Sequence, residues 1–498
     1  MSVRKQKFQF YIKGFQKILK QMLRVKKSFV GLLILIFFAI VAIGGPLITN
    51  LDPIKPGSVR NPDDLPVAET NCVPSWYQGE NITHNLNVIE GATWQYKATD
   101  NCANISYNNE AKEFAIAFKD TGNVTLSLNF SYPYIVQPPS FRGQFYYLLN
   151  ASNEAPRLQN NIMIVNNFKT KGLREIKTYQ VSPILPLYFE AGKMNKLTLY
   201  KDQITNYNAY LRTLYAETYG KEVIQVIFAK VPANYTYEIV IQFNGNVTQL
   251  GNPTLYLKNI QLVIYGNSYG IFGTDWYARD IFTQLVDGTR ISFMIGIISA
   301  IISVAIGLIY GLASGYIGGI TDEVMMRFND MLLVLPTLPL LLVLVFVLGQ
   351  SFMNIILVVG LLGWMGFART VRSAVLSLKE RPFIEAARAA GAGRGYIMIR
   401  HIVPNVMPLV YVTLASSVPG AIISEAALSW LGLGPTDVMS WGRILSEFER
   451  SGAIATGALT RWYWVIPPGI CICLLSLSFI LIGYALDEIL NPKLRERR

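Results

Sequence analysis

The chain is poor in the residues from which most catalytic and metal sites are built. Its 498 residues include two histidines and four cysteines, and 15% of the residues are charged. The membrane topology derived below places His84 and His401 on opposite sides of the membrane, which excludes a histidine-based triad or zinc site. We therefore predict a protein that is not an enzyme and that holds no metal and no cofactor.

A phosphate-binding loop is also missing. No G-x-x-x-x-G-K-[ST] sequence occurs, and the glycines at 391, 393 and 395 lack the following Lys and Ser/Thr that would hold phosphates and magnesium. The chain cannot bind ATP in the P-loop manner. If it uses ATP, a partner must supply the ATPase.

Apolar and basic residues are what the sequence has instead. Hydrophobic residues make up 51% of the chain, and the net charge is +12. Residues 1–28 hold nine Lys or Arg and no acid, whereas residues 50–278 hold 18 basic and 18 acidic side chains. Basic flanks beside apolar runs indicate the cytoplasmic side of a membrane, so this charge predicts orientation and not a nucleic-acid partner.

The N-terminal region predicts attachment to the membrane. Residues 1–28 form a basic amphipathic segment with one apolar helical face, which favours a cytoplasmic helix lying on membrane lipids over a disordered basic tail. Residues 29–49 are apolar and long enough for a first transmembrane helix. A cleaved signal peptide is the competing interpretation, but no small-x-small site follows the run.

Five more apolar runs predict a six-span α-helical membrane protein. We expect a segment at 272–288 that leads into a core at 289–487, and then a basic cytoplasmic tail at 488–498. With the N-terminus inside, this count places the C-terminus inside as well. The predicted spans of the core are 290–315, 331–350, 354–371, 406–428 and 463–486.

Residues 50–271 differ in composition and predict an extracellular β-rich domain. Alternating segments at 123–130, 222–228, 235–243 and 253–265 favour an antiparallel sandwich. All the N-x-[ST] sequons of the chain lie here, as expected on a glycosylating surface such as that of an archaeon. The candidate glycosylation sites are Asn81, Asn104, Asn123, Asn129, Asn150, Asn234 and Asn246.

The four cysteines form two unlike pairs. Cys72 and Cys102 lie in the β-rich domain, where an exterior location permits a disulfide between them, and two free thiols are the alternative. Cys471 and Cys473 stand two apart in an apolar run. They would point to different faces of a helix, which argues against a metal site.

The most informative stretch is a polar, Arg-rich segment between two apolar runs, residues 381–405, which we call the coupling loop. Pro382 suits a first helical turn, and Glu385 suits a helix N-terminus. Gly391 and Gly393 should then break the helix. We expect two short helices hinged at glycine, forming a rigid cytoplasmic knob that contacts a partner.

The coupling loop resembles the loop that marks permease subunits of ATP-driven importers. That loop reads Glu-Ala-Ala, three residues, Gly, nine residues and I-x-L-P, and here Glu385, Ala386, Ala387 and Gly391 fit it. The ending departs from it, with His401 for Ile and Val403 for Leu before Pro404. The Arg-His-Ile-x-Pro-Asn ending resembles C-type permeases of the dipeptide/oligopeptide branch. A basic Ala-rich loop without function is the alternative.

The lead-in segment adds to the resemblance. FGTDWYARDIFTQLVDGTRISF is similar to a family segment reading G-T-D-x-x-G-R-D, in which Ala278 replaces a glycine. That change puts the tight turn at Ala278 in question. The resemblance covers the first span and residues after about 272, and it does not cover the β-rich domain.

This resemblance implies the fold of a type I importer permease with an inserted domain. It implies four kinds of partner: a second homologous permease, two cytoplasmic ABC ATPase subunits, an extracellular substrate-binding protein and membrane lipids. Peptides would be the substrate, with oligosaccharide or nickel as alternative substrates. A membrane-anchored surface glycoprotein with a carbohydrate-binding domain is the alternative to a permease. The residues implied in ATPase coupling are Glu385, Ala386, Ala387, Arg388, Gly391 and Pro404.

Helix-bending residues are candidates for the pathway and its gating. Pro336, Pro339, Pro419 and Gly420 would free backbone groups in spans that must rearrange. Glu425, near the outer end of the fifth span, needs a partner or water. A bond to a nearby helix end is favoured for Glu425 over substrate contact.

The β-rich domain leaves three roles open. It can be a protective cap, a docking platform for the binding protein, or a glycan-binding site built on Trp76, Tyr77 and Trp94. Docking is favoured, because a permease must receive its binding protein.

Overall fold

The computed structural model describes residues 20–55, 67–77, 82–89, 93–151, 162–171, 176–180, 185–186, 194–199, 224, 227–228, 230–452 and 461–490. The chain divides into two compact units, one formed by Met1–Lys55 with Ile281–Arg498 and the other by Pro56–Asp280. The predicted lead-in segment is therefore divided, since residues 272–280 belong to the inserted unit and the remainder begins a helix. Most of the predicted N-terminal amphipathic segment and of the C-terminal tail lies outside the described residues.

The inserted unit is built from antiparallel strands. In chain order they are β1 (Leu86–Asn87), β2 (Trp94–Ala98), β3 (Ala103–Asn108), β4 (Glu113–Phe118), β5 (Gly122–Tyr132), β6 (Ser140–Asn150), β7 (Ile162–Lys171), β8 (Ile176–Gln180), β9 (Leu185–Pro186), β10 (Asn195–Leu199), β11 (Ala233–Phe243) and β12 (Thr254–Tyr265). One sheet has the order β10-β6-β12-β4-β3, with β1 on β12. The other has the order β2-β5-β11-β7-β8, with β9 on β7.

Period-two alternation explains how the two sheets bury a common core. Along β5, Val124, Leu126 and Leu128 are fully buried while the residues between them are more exposed. Rings from the two sheets meet in this core, and Phe118 of β4 stacks on Phe243 of β11 with centroids 4.4 Å apart. These contacts give the inserted unit a hydrophobic core of its own.

One predicted strand is wrong in the part that the structure describes. Within 222–228, the Phe228 amide donates to the Ile224 carbonyl at 2.9 Å, which is a helical turn. Ile224, Ile227 and Phe228 are all buried. The described residues of this apolar run therefore pack as a turn of helix against the core, a case that periodicity alone does not distinguish from a strand.

Ala278 forms a tight turn, although the similar family segment has glycine at this position. Ala278 has φ +63°, and its amide donates to the Asp275 carbonyl at 3.2 Å. Asp275 holds the turn, because its carboxylate accepts from the Tyr277 amide at 2.8 Å and from the Arg279 amide at 2.9 Å. A left-handed alanine costs about 1 kcal/mol, which these bonds offset.

The candidate glycosylation sites lie on the surface of the inserted unit where the structure describes them. Asn104, Asn123, Asn129, Asn150, Asn234 and Asn246 are exposed, and Asn81 is outside the described residues. Of the three aromatic side chains proposed for a glycan site, Trp76 and Tyr77 are exposed. Trp94 is half-buried, with its ring 5.5 Å from that of Phe114, so packing explains it better than ligand binding.

The predicted disulfide is not formed. Cys72 and Cys102 are buried free thiols with different surroundings. The Cys72 thiol donates to the Glu69 carbonyl at 3.2 Å, whereas Cys102 faces the Asn123 carbonyl at 3.7 Å and lies beside Gly122. Burial raises the pKa of the Cys72 thiol to about 11. An exterior location permits a disulfide, but it does not bring two thiols together.

The second unit is helical. In chain order they are α1 (Lys26–Ile48), α2 (Ile281–Ile317), α3 (Gly319–Val334), α4 (Thr337–Leu348), α5 (Phe352–Leu362), α6 (Met365–Lys379), α7 (Pro382–Ala389), α8 (Arg394–Ile397), α9 (Val403–Leu428), α10 (Trp441–Arg450) and α11 (Trp462–Leu490). Among the described residues, five helical stretches could cross a membrane, or six if the bent pair α3–α4 counts as one span.

Proline determines where that pair bends. Pro336 forces the preceding Leu335 into an extended conformation, with φ −68° and ψ 134°, and this ends α3 at Val334. Pro339 then falls in the first turn of α4, where a missing N–H costs little. The two helices meet at 89°. The third span, predicted at 331–350 with bend-permitting prolines, is thus a sharply broken helix pair.

Glycines bring α2 and α6 into close contact. Gly307, Gly311 and Gly315 repeat every four residues along α2, so they share one face. A Cβ on Gly311 would lie 2.5 Å from the Ala368 carbonyl oxygen, and one on Gly307 would lie 2.9 Å from that of Trp364. Small residues at this spacing allow two membrane helices to approach each other closely.

The thiols of the inserted unit give a direct prediction. In 6 M guanidinium without reductant, Cys72 and Cys102 should both react with a maleimide. In the native protein at pH 8, Cys72 should stay unmodified, because its thiolate is disfavoured below about pH 11. Mass spectrometry of tryptic peptides distinguishes the two states. A Cys72–Cys102 cross-linked peptide would contradict this assignment, and labelling of Cys72 in guanidinium is the positive control for the reagent.

Candidate functional site

The coupling loop begins with α7 on the predicted residues. Arg381 is extended, and Pro382 occupies the first turn, where its missing N–H is one that no helix satisfies. Glu385 follows within that turn, where a carboxylate interacts favourably with the positive end of the helix. The sequence of this stretch therefore specifies the start of the helix.

Gly391 ends α7 in a Schellman motif. Its φ is +83°, its amide donates to the Arg388 carbonyl at 3.0 Å, and the Ala392 amide donates to the Ala387 carbonyl at 3.1 Å. These two bonds satisfy carbonyls that a helix end otherwise leaves open, and they require a left-handed residue between them. The glycine is needed here for its backbone conformation, since a Cβ would meet nothing within 4 Å.

The second predicted helix of the loop is not a separate one. Gly393 is the N-cap of α8, which continues through a π-helical turn at Met398–Ile402 into α9. Residues 394–433 thus form one continuous helical stretch with Pro404 in the first turn of α9. The loop has one short free helix, α7, joined to the base of a membrane span.

Buried isoleucines anchor the loop to the span helices. Ile384, Ile397 and Ile402 are at most 1% exposed and share a hydrophobic cluster with Val371 and Val375 of α6. Full burial of each such side chain contributes about 1.5–3 kcal/mol. The loop is therefore held as a rigid extension of α6 and α9.

The loop also exposes large apolar side chains. Phe383, Tyr396 and Ile399 are 44%, 59% and 72% exposed. Glu385, Ala386, Arg388, Gly391 and Pro404 are exposed on the same loop, whereas Ala387 is half-buried against the anchoring cluster. Exposed large apolar side chains on a rigid support are typical of a protein-binding surface.

An ion pair fixes the helices next to the loop. Arg372 of α6 binds Asp322 of α3 through two bonds of 2.6 Å, and the same carboxylate accepts a bond from Ser314 of α2. A bidentate Arg–carboxylate pair is directional as well as strong. Lys379, at the end of α6, donates to the Tyr316 carbonyl of α2 at 3.1 Å. The base of the loop is thus held by polar contacts as well as apolar ones.

The bending residues of the fifth span lie in α9. Pro419 is buried inside a helix that continues to Leu428, while Gly420 is exposed, with no atom within 4 Å of the position of a Cβ. Gly420 and Thr337, which follows Pro336, both line one cavity that is described below. Of the predicted gating positions, Gly420 is therefore the one found in the lining of this cavity.

Glu425 has the helix-end partners that the sequence analysis favoured. It is 1% exposed, and its Oε1 accepts from Ser429 at 2.7 Å and from Ser440 at 2.6 Å. Ser440 in turn caps α10 by accepting from the Arg443 amide at 3.1 Å. The carboxylate links α9 to the start of α10, and this network is a positioning element. Neither serine was predicted, although Ser429 is four residues after Glu425 on the same helical face; Ser440 is 15 residues away and reaches the carboxylate only through the fold of the segment between α9 and α10.

The chain resembles known transport proteins over much of this unit. Residues 303–496 match the family described as binding-protein-dependent transport system inner membrane component. The oligopeptide transport system permease protein OppC of Haemophilus influenzae is 43% identical over 226 residues, which are 45% of this chain and 71% of that protein. The dipeptide permease protein DppC of Bacillus subtilis is 36% identical over 225 residues, covering 45% and 69%.

A solved structure of the MetNI methionine ABC transporter covers 41% of this chain and 97% of its own, with 20% identity and a TM-score of 0.33. The helical unit is an integral-membrane transport component, and the β-rich unit is a domain inserted into its sequence. The chain belongs to the family of binding-protein-dependent transport system inner membrane components.

Gly391 offers a test of the coupling loop. Gly391→Leu should force a side chain into the left-handed region at a cost of about 1–2 kcal/mol, and so should displace the end of α7. Gly469→Leu on α11 is the control, because a side chain there also has open space and that glycine has no positive φ.

In membrane vesicles carrying the complete transporter, Gly391→Leu should lower uptake per ATP hydrolysed at least fivefold, with normal membrane insertion. The Gly469 variant should keep the wild-type ratio. Wild-type coupling in the Gly391 variant would contradict a coupling role for α7.

Glu425 distinguishes positioning from substrate contact. Glu425→Gln keeps an Oε1 acceptor for both serines, so the Tm in detergent and the KM for uptake should match the wild type. Glu425→Ala leaves two buried hydroxyls without that acceptor, at about 1–3 kcal/mol, and should lower the Tm. Thermal unfolding and uptake kinetics measure both. A raised KM for Glu425→Gln with an unchanged Tm would show substrate contact instead.

Proposed function

We propose that this chain is the C-type permease subunit of an ATP-driven peptide importer and forms half of its translocation pathway. The observation that carries the proposal is the coupling loop, a rigid support for Phe383, Tyr396 and Ile399 on a chain 43% identical to an oligopeptide permease protein. The chain has no P-loop of its own, so energy must come from another subunit.

The partners follow from this role. Two ATPase subunits lie on the cytoplasmic side, and one of them binds the coupling loop at Phe383, Tyr396 and Ile399. A second, homologous permease completes the pathway, and a substrate-binding protein delivers peptide from outside. When ATP closes the ATPase pair, α7 moves with it and carries α6 and α9 through the buried isoleucine contacts.

Charge supports the orientation. Lys20, Arg24, Lys26 and Lys27 precede or begin α1, and a second basic group at 369–400 surrounds the coupling loop. Both groups are placed inside by the positive-inside rule. A single membrane crossing, α1, then separates the N-terminus from the inserted unit, so the inserted unit and its sequons lie outside.

Reconstitution tests the substrate class. Proteoliposomes holding the complete transporter should take up radiolabelled tetra-alanine only with binding protein outside and ATP inside. Uptake of nickel ions and of maltotetraose, measured in the same assay, tests the two alternative substrates. ATP-dependent nickel or maltotetraose uptake without peptide uptake would replace the peptide assignment with one of them.

A further inference from the structure

A cavity with a volume of about 250 Å³ lies among α2, α4, α5 and α9 in the helical unit. Its lining has no charged residue and includes the hydroxyl side chains of Ser299, Ser303, Thr337, Ser417 and Ser424. Within a unit composed of apolar helices, such a concentration of hydroxyls is costly unless they have partners. The cavity therefore requires an explanation beyond packing.

Two of these hydroxyls are satisfied within the protein. Ser299 donates to the Ile356 carbonyl at 3.1 Å, and Ser417 donates to the Thr413 carbonyl at 2.8 Å. Among the described residues, the hydroxyls of Ser303, Thr337 and Ser424 have no hydrogen-bond partner. Ser303 is only 5% exposed, so its hydroxyl faces the cavity from a nearly buried position.

The cavity is open along one face of α9. Ser417, Gly420 and Ser424 are three and four residues apart, so they share that face. Gly420 is exposed and has nothing within 4 Å of the position of a Cβ. The absence of a side chain at 420 gives a ligand access to the three unpartnered hydroxyls.

We propose that this cavity binds a peptide group of the substrate in transit, with Ser303, Thr337 and Ser424 as its hydrogen-bonding residues. The inference rests on the proposed function. A peptide backbone offers one donor and one acceptor per residue, and a hydroxyl can serve either. Three hydroxyls without a carboxylate or imidazole do not suit a nickel ion.

Recognition of this kind is independent of the substrate's side chains. The cavity lining carries no charged side chain that would select a substrate by its charge. Hydrogen bonds from small side chains let peptides of different sequence pass the same site. Weak, shared contacts also allow release, which transport requires.

Matched alanine variants on one helix test the assignment. Ser424→Ala removes a cavity hydroxyl, whereas Ser416→Ala removes an exposed one that already donates to the Val412 carbonyl of its own helix at 3.0 Å. In proteoliposomes with the complete transporter, Ser424→Ala and Ser303→Ala should each raise the KM for tetra-alanine about three- to tenfold. The maximal rate should stay within twofold, and Ser416→Ala should match the wild type.

Cysteine protection gives a second readout. In a variant without the four native cysteines, tetra-alanine during ATP turnover should slow maleimide labelling of Ser424→Cys at least threefold and leave Ser416→Cys unaffected. Equal KM values for Ser424→Ala and Ser416→Ala, together with no protection of Ser424→Cys, would overturn the proposal. Protection by maltotetraose in place of tetra-alanine would assign the cavity to sugars.

The two levels of inference fail in different ways. If the wild-type transporter imports no tetra-alanine, the proposed function is wrong. If it imports tetra-alanine and the Ser424 and Ser303 variants behave as wild type, only the cavity assignment is wrong.

Discussion

The close contact between α2 and α6 is the constraint on which the rest of the helical unit depends. Gly307, Gly311 and Gly315 leave room for the backbone of α6 against α2, and a Cβ at Gly311 would lie 2.5 Å from a carbonyl oxygen. This contact places Arg372 beside Asp322 and Lys379 beside Tyr316. The three glycines of α2 therefore help to fix the base of the coupling loop.

Rigidity and exposure are combined in the coupling loop. Ile384 and Ile397 are buried in the cluster that includes α6, while Tyr396 and Ile399, next to them in sequence, face outward. A force applied to the outer residues must therefore act on the span helices. The continuous helix from Arg394 to Leu433 carries that motion toward Gly420 and Ser424, which line the hydroxyl cavity.

Local signals in the sequence were sufficient for the elements that depend on neighbouring residues. Pro382, Glu385 and Gly391 specify the start and end of α7 through the first turn and the Schellman bonds, so the loop could be predicted. Alternating strands such as β5 predicted the sandwich in the same way. The glycine repeat of α2 was also visible in the sequence as G-x-x-x-G-x-x-x-G, which predicts a face of close helix contact but does not say that α6 is the partner.

Features that depend on distant residues could not be obtained in this way. Cys72 and Cys102 share a compartment, but the fold keeps them on different partners. The 89° bend required knowing that Pro336 ends α3 and does not merely kink a span. The hydroxyls of Ser303, Thr337 and Ser424 come from three helices, and no spacing in the sequence brings them together.

The orientation of the chain is the claim on which all assignments of partners depend. Glu385 in the coupling loop and Asn104 on β3 are both exposed, so a cysteine at either position is accessible to a reagent. In a variant without native cysteines, a membrane-impermeant maleimide applied to intact cells should label Asn104→Cys. It should label Glu385→Cys only after the membrane is permeabilised. Labelling of Glu385→Cys in sealed cells would contradict a cytoplasmic coupling loop and the account built on it.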